Sequence, residues 1–127
     1  MLVKAIEADW KLIPENIRPF ISAQQTKVKP GRQYRVIALS IYKSVLFVLI
    51  FDDHELLSFV PSCYFETIDS TVPNDWICSL SLGAMVDLVI GPEFIAKSLD
   101  SYNRTVDLEA DQVEKIWRWA HREILEE

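Results

Sequence analysis

The sequence predicts an α+β domain, mainly β: an antiparallel meander curled into a small SH3-like barrel, followed by a C-terminal amphipathic helix. Three observations carry that prediction. Segments of about five to nine residues, rich in β-branched and aromatic side chains, recur between Gln33 and Ile90 with short polar turns between them. One of them, Val45–Phe51, is apolar at every position, the pattern of a central strand covered on both faces. Beyond Leu108 the period changes: Val113, Ile116, Trp117, Ala120 and Ile124 recur at spacings of three and four and draw one stripe along a helix. The chain has 127 residues, half of them hydrophobic and a quarter charged, which is material for one core. Residues 1–127 are therefore read as a single domain, with the β-meander at 29–91 and the closing helix at 109–126.

The elements follow in order. Leu2–Trp10 alternates loosely and reads as a short strand. Pro14 and Pro19 bracket Glu15–Ile21, and Pro14 suits the first position of a helical turn or two. Ser22–Gly31 is polar and ends in Lys29-Pro30-Gly31, a turn signal. Gln33–Ile41 reads as a strand, Tyr42-Lys43-Ser44 as a break, and Asp52-Asp53-His54-Glu55 as the turn from Val45–Phe51 into Leu56–Val60. Pro61 ends that strand; Cys63–Ile68, Trp76–Leu80 and Ala84–Ile90 make three more, and Gly91-Pro92 closes the sheet. Curling into a barrel would cover the sheet edges better than a flat open sheet. Glu93–Leu99 is a candidate short helix. In the last helix, Asp111 and Glu114 have capping-box spacing, and the helix is expected to pack across the barrel with Trp119 off the stripe and exposed. Tyr64, Phe65 and Trp76 are expected in the core, with Glu66 sharing a strand face with Tyr64 and Ile68.

Charge is segregated along the chain. The first 43 residues hold eight Lys or Arg against three acids, and the remaining 84 hold five against sixteen, for a net charge of −6. Between Ser44 and Ala96 stand eight carboxylates (Asp52, Asp53, Glu55, Glu66, Asp69, Asp75, Asp87 and Glu93) and no lysine or arginine. Such a field repels nucleic acid and attracts basic protein surfaces. The N-terminal basic residues Lys4, Lys11, Arg18, Lys27, Lys29, Arg32 and Arg35 offer a phosphate patch, but the plainer account is that they pack against the acidic strands and helix. No apolar run reaches the roughly 20 residues of a membrane span, and the N-terminus does not read as a signal peptide, so a cytoplasmic protein is expected. Cys63 and Cys78 then read as reduced, buried thiols.

Catalytic signatures are weak. Asp52-Asp53-His54-Glu55 is the densest group of candidate metal ligands, yet adjacent hairpin residues seldom point at one centre. Its plain reading is a solvated turn, and its more attractive one an acidic recognition surface on a rigid loop. Cys63 and Cys78 would each need a histidine as base, and His54 or His121 could serve only by a spatial coincidence that sequence does not show; no serine sits in a G-x-S-x-G elbow, and Gly31, Gly83 and Gly91 form no phosphate-cradling loop. No enzyme, metal or cofactor is expected.

One stretch carries a family likeness. It runs Gly31-Arg32-Gln33-Tyr34-Arg35-Val36, then Val45–Phe51 ending in Asp52-Asp53, then Pro61-Ser62-Cys63-Tyr64-Phe65-Glu66, then Pro73-Asn74-Asp75-Trp76. This order resembles small bacterial immunity-type proteins of polymorphic or contact-delivered toxin systems; it covers Lys29–Trp76, and its elements are mostly structural. The resemblance implies a non-enzymatic protein that neutralises a cognate toxin domain. A nuclease toxin would present a basic cleft that an acidic surface can plug. The contacts would come from Asp52, Asp53, Glu55, Asp69 and Asp75, with Trp119 as an aromatic anchor. The alternative is a barrel adaptor or small-ligand regulatory module using a groove between barrel and C-terminal helix. An apolar cleft lined by Trp117 or Trp76 would favour it.

Overall fold

The computed structural model describes residues 1–8, 13–20 and 28–122. Its strands are β1 (Leu2–Ala5), β2 (Gln33–Arg35), β3 (Ala38–Tyr42), β4 (Val45–Phe51), β5 (Leu57–Pro61), β6 (Phe65–Asp69), β7 (Trp76–Gly83) and β8 (Val86–Pro92). Its helices are α1 (Glu93–Ala96), α2 (Leu99–Val106) and α3 (Ala110–Ala120). The class is α+β, mainly strands. All described pairings are antiparallel and make two sheets, β2-β1-β6 and β5-β4-β3-β8-β7. Among the described residues no pairing closes them into the expected SH3-like barrel. The reason lies in Gln33–Ile41, read as one strand: it breaks at the buried pair Val36-Ile37, and its halves join different sheets.

Local chemistry accounts for the turns. Arg32 N–H donates to the Lys29 carbonyl across Pro30 and Gly31, whose φ of 90° gives the left-handed second corner that glycine adopts freely. β3 and β4 meet through Lys43-Ser44, both at positive φ as a tight hairpin turn requires. β4 is the central strand its composition announces, with Val45 and Phe47–Ile50 buried. Gly91 lets β8 approach β3: a Cβ there would stand 2.7 Å from the Ala38 Cβ. In the Glu15–Ile21 segment a 3₁₀ turn occupies Arg18–Phe20, and Ile21 lies outside the described residues.

One buried cluster reaches from Val3 through both sheets to Ala120. The expected Glu93–Leu99 helix stops at Ala96, and Ser98 starts a further one, its hydroxyl accepting from Ser101 N–H at 3.1 Å. On α3 the buried residues are Gln112, Ile116, Trp119 and Ala120, so the inward face is turned from the predicted stripe. Ile124 and the helix end at 126 lie outside the described residues. The capping box does not form: Glu109 is the N-cap and its side chain makes no capping bond, pairing with Arg104 instead at 2.6 Å; Asp111 also pairs with Arg104, and Glu114 pairs with Arg118 at 2.6 Å. Trp119, expected at the surface, is 9% exposed, whereas Trp117 is 46% exposed. Both cysteines are free, but Cys63 is only half-buried and Cys78 is exposed, correcting the expectation of two buried thiols. Tyr64 and Trp76 are buried and Phe65 is half-buried; Glu66 and Ile68 are exposed.

Candidate functional site

The acidic turn between β4 and β5 is organised from within. Asp52 is 4% exposed; its Oδ1 accepts from the amides of His54 (2.8 Å) and Leu56 (3.1 Å), and its Oδ2 from the Ser58 hydroxyl at 2.7 Å. Its own amide donates to the Leu56 carbonyl at 2.8 Å. An aspartate bonding amides two and four residues ahead shapes the turn around itself. Asp52 is therefore a structural hub, enclosed in its own turn and not presented to solvent as a contact surface would be. Asp53 is engaged too: its Oδ1 accepts from Arg32 Nη1 at 2.8 Å and from the Tyr34 hydroxyl at 2.6 Å. The Tyr34 hydroxyl in turn accepts from Lys29 N–H at 2.9 Å. Burial, then the Asp53 bond, pushes the Tyr34 phenol up from its ordinary value. The basic N-terminal segment thus meets the acidic turn inside the molecule.

A second knot holds α3 to the β6–β7 loop. Asp75 Oδ2 accepts from Trp119 Nε1 and Arg122 Nη1, both at 3.0 Å, and the Trp119 bond first, then Arg122, lowers its carboxyl below the usual range. The guanidinium carbons of Arg35 and Arg122 lie 5.5 and 5.1 Å from the Trp119 ring. Arg35 Nη1 also donates to the Ala120 carbonyl at 2.6 Å. Trp119 is consequently part of the packing rather than an exposed anchor. Asp69 is exposed and accepts from Thr71 N–H at 2.9 Å.

Of the six predicted contact residues, Glu55 alone stands exposed on the rim of a groove with an apolar floor. That groove, about 690 Å³, runs between the β4–β5 turn and α3, lined by Leu56, Leu57, Leu108, Val113 and Trp117, with Glu114 and Arg118 beside Glu55 at its edge. Leu56 is 59% and Leu108 49% exposed. Each owes its position to a left-handed residue, Glu55 (φ 60°) before Leu56 and Leu108 itself (φ 54°), which turn the chain so that both side chains face the groove. Trp117 is fixed by stacking on His121, ring centroids 4.1 Å apart at 21°, and His121 Nδ1 lies 2.8 Å from the Trp117 carbonyl. Helical periodicity places Trp117 on the buried stripe, whereas the alternative reading names it as lining an apolar cleft beside the C-terminal helix, and it is there that the structure puts it. For the leucines, the available signals were one directly after the acidic turn and another between Asp107 and Glu109.

Among the described residues no three His, Cys, Asp or Glu side chains gather as metal ligands. Burial pushes the Cys63 thiol up, away from thiolate. Among the described residues no helix is long and apolar enough to cross a membrane. No family model, curated protein or solved structure matches this chain.

Proposed function

We propose that this chain is a non-enzymatic protein-binding module whose contact surface is the Leu56–Leu108–Trp117 groove. The observation that carries the reading is an aromatic side chain held rigid by stacking yet half exposed, flanked by two leucines exposed to a similar degree. Such apolar surface is costly in water and is what interface hot spots are built from. A small-ligand pocket encloses most of its guest; walls this open suit a protein surface better. The partner presents apolar side chains with basic neighbours, because Glu55 stands on the rim and the chain is acidic overall. A toxin domain with a basic cleft, the partner class implied by the resemblance over Lys29–Trp76, has that chemistry. The acidic plug moves accordingly, from Asp52 and Asp53 to apolar anchors with Glu55 beside them.

The test is a titration against the product of the adjacent open reading frame at low and high salt, with wild type, Trp117→Ser, Leu56→Asp and Glu55→Lys. Truncating a hot-spot tryptophan costs about 2 kcal/mol or more, a loss of roughly 30-fold. Binding weakened that far by Trp117→Ser and little by salt supports the groove. Binding abolished by salt and by Glu55→Lys, but indifferent to Trp117, returns the contact to the acids. No binding at either ionic strength overturns the proposal.

A further inference from the structure

The far edge of the five-stranded sheet carries a second surface. β7 pairs with β8 on one side, and no described strand covers the other. The hydrogen-bond phase of this edge can be followed across the sheet. Asp52 N–H bonds the Leu56 carbonyl, which makes Phe51–Leu57 a non-hydrogen-bonded pair. Alternation through Ala38–Leu49, Leu39–Ile90 and Ser79–Val89 then turns the main-chain groups of Ile77 and Ser79 toward β8 and those of Cys78 and Leu80 outward. Trp76 agrees with this phase, since its N–H donates to the Pro73 carbonyl at 3.2 Å instead of to β8.

Other edges of the two sheets carry devices that discourage pairing. β2 is three residues long and holds Arg35, β5 ends in Pro61, and β6 carries Glu66 and Asp69. Trp76–Gly83 has no charge and no proline. Its flat stretch runs to Leu80, after which the register shifts and Ser81 takes a φ of 52°. Ser79 Oγ donates to the Ala96 carbonyl at 2.6 Å, so α1 lies against Ser79 on one face, where Ile77 stays partly exposed, and Cys78 and Leu80 are on the other. Leu80, 72% exposed, has the largest exposed fraction of the described large apolar side chains.

We propose that β7 is a dimerisation edge that takes a second copy of this chain, antiparallel, about a two-fold axis at Ser79. The free main-chain groups fall symmetrically about that axis. Cys78 of each copy exchanges N–H···O bonds with Leu80 of the other, and each Leu80 side chain lies against the opposite Cys78. Two copies of an acidic chain repel over most of their surface, and an edge without charge brings no carboxylate against another. The joined sheet has ten strands. The groove beside β5 sits at the opposite end of each half and stays open, so this inference stands apart from the protein-binding reading.

Sedimentation and light scattering of the full chain test it, using wild type, Leu80→Lys and Trp117→Ser. The expected mass is twice 14.7 kDa for wild type and Trp117→Ser, and 14.7 kDa for Leu80→Lys with its thermal melt unchanged. Cross-linking adds the register. The two Cys78 residues would be diagonal neighbours about 7–8 Å apart, too far for a disulfide but within reach of a short bis-maleimide. A Cys63→Ser protein should cross-link to a dimer, and Cys63→Ser/Leu80→Lys should not. A wild type that stays monomeric across its concentration range, or a dimer that survives Leu80→Lys, overturns the proposal. So does a dimer broken by Trp117→Ser instead.

Discussion

Replacing Asp52 by alanine separates a structural acid from a surface one. Three donors converge on its carboxylate: two turn amides and the buried Ser58 hydroxyl. Hydrogen bonds to charged acceptors contribute about 1.5–3 kcal/mol, and a buried donor left unpaired costs about 1–3 kcal/mol. Water reaches the two amides of the turn more readily than the Ser58 hydroxyl. Allowing about 1 kcal/mol for each amide and about 2 for Ser58 gives roughly 4 kcal/mol for Asp52→Ala. That is a large part of the roughly 5–15 kcal/mol by which a domain is stable. Asp52→Asn keeps a carbonyl for the amides and offers Ser58 an N–H to accept, so about 1–2 kcal/mol is expected. The control is Asp53→Ala, which removes a pair with a mostly exposed Arg32 and one Tyr34 bond, for about 1–2 kcal/mol. Urea unfolding followed by circular dichroism reads all three. The order should be Asp52→Ala well above Asp52→Asn and Asp53→Ala. If Asp52→Ala costs no more than Asp53→Ala, the carboxylate does not organise the turn and Asp52 becomes available again as a contact residue.

Three further outcomes follow from the same geometry. Trp119→Phe should destabilise by about 1–2 kcal/mol more than Trp76→Phe, because Trp119 Nε1 bonds Asp75 while the buried Trp76 Nε1 has no partner among the described residues; equal melting points would refute this. The Asp75 carboxyl is lowered in the fold, so the stability it adds is present above the unfolded value of about 3.9 and lost as pH falls through its folded value. Acid unfolding of Asp75→Asn should therefore lack part of the wild-type loss below about pH 4, and coincident acid limbs would count against the assignment. Burial raises the phenols of Tyr34, Tyr64 and Tyr102, whose stabilisation is present below the unfolded value of about 10 and lost as pH rises beyond it. Tyr102→Phe should move alkaline unfolding to higher pH, and an unchanged midpoint would be the contrary result.

What the sequence disclosed depends on where each residue's partners lie. Val45–Phe51 is legible to the residue because burial on both faces leaves an unbroken apolar run. The Lys29–Gly31 turn is legible because Pro30 and Gly31 each fit one corner of it. The break at Val36-Ile37 is not, since a change of sheet leaves two buried apolar residues in succession, like the interior of one strand. α2 escaped because its inward residues are Ser101, Tyr102 and Thr105, two of them small and polar. The face of α3 was misjudged for a related reason. Gln112 Nε2 donates to the Phe94 carbonyl at 2.8 Å and to Thr105 Oγ1 at 3.1 Å, so a polar side chain is drawn inward by partners distant in sequence. With Gln112 and Trp119 inside, Trp117 must turn outward, and the groove exists because of that rotation.

The charge segregation takes a different meaning once its partners are located. Arg32 of the basic N-terminal third holds Asp53, and Arg35 bonds the Ala120 carbonyl beside the Trp119 that binds Asp75. Asp52 is enclosed in its own turn, and Asp69 is turned to the Thr71 amide. Half of the eight carboxylates between Ser44 and Ala96 therefore answer to groups within the chain, leaving Glu55, Glu66, Asp87 and Glu93. A sequence that looks like a field aimed at a partner is in good part complementary to itself. Salt then acts on the fold as well as on any complex, although exposed pairs contribute only about 0–1 kcal/mol each. A partner's affinity that falls with salt points to the acidic surface only if the unbound chain keeps its stability over the same range. Under that condition Glu55 is the acid to reverse first, because it combines exposure with a position on the groove.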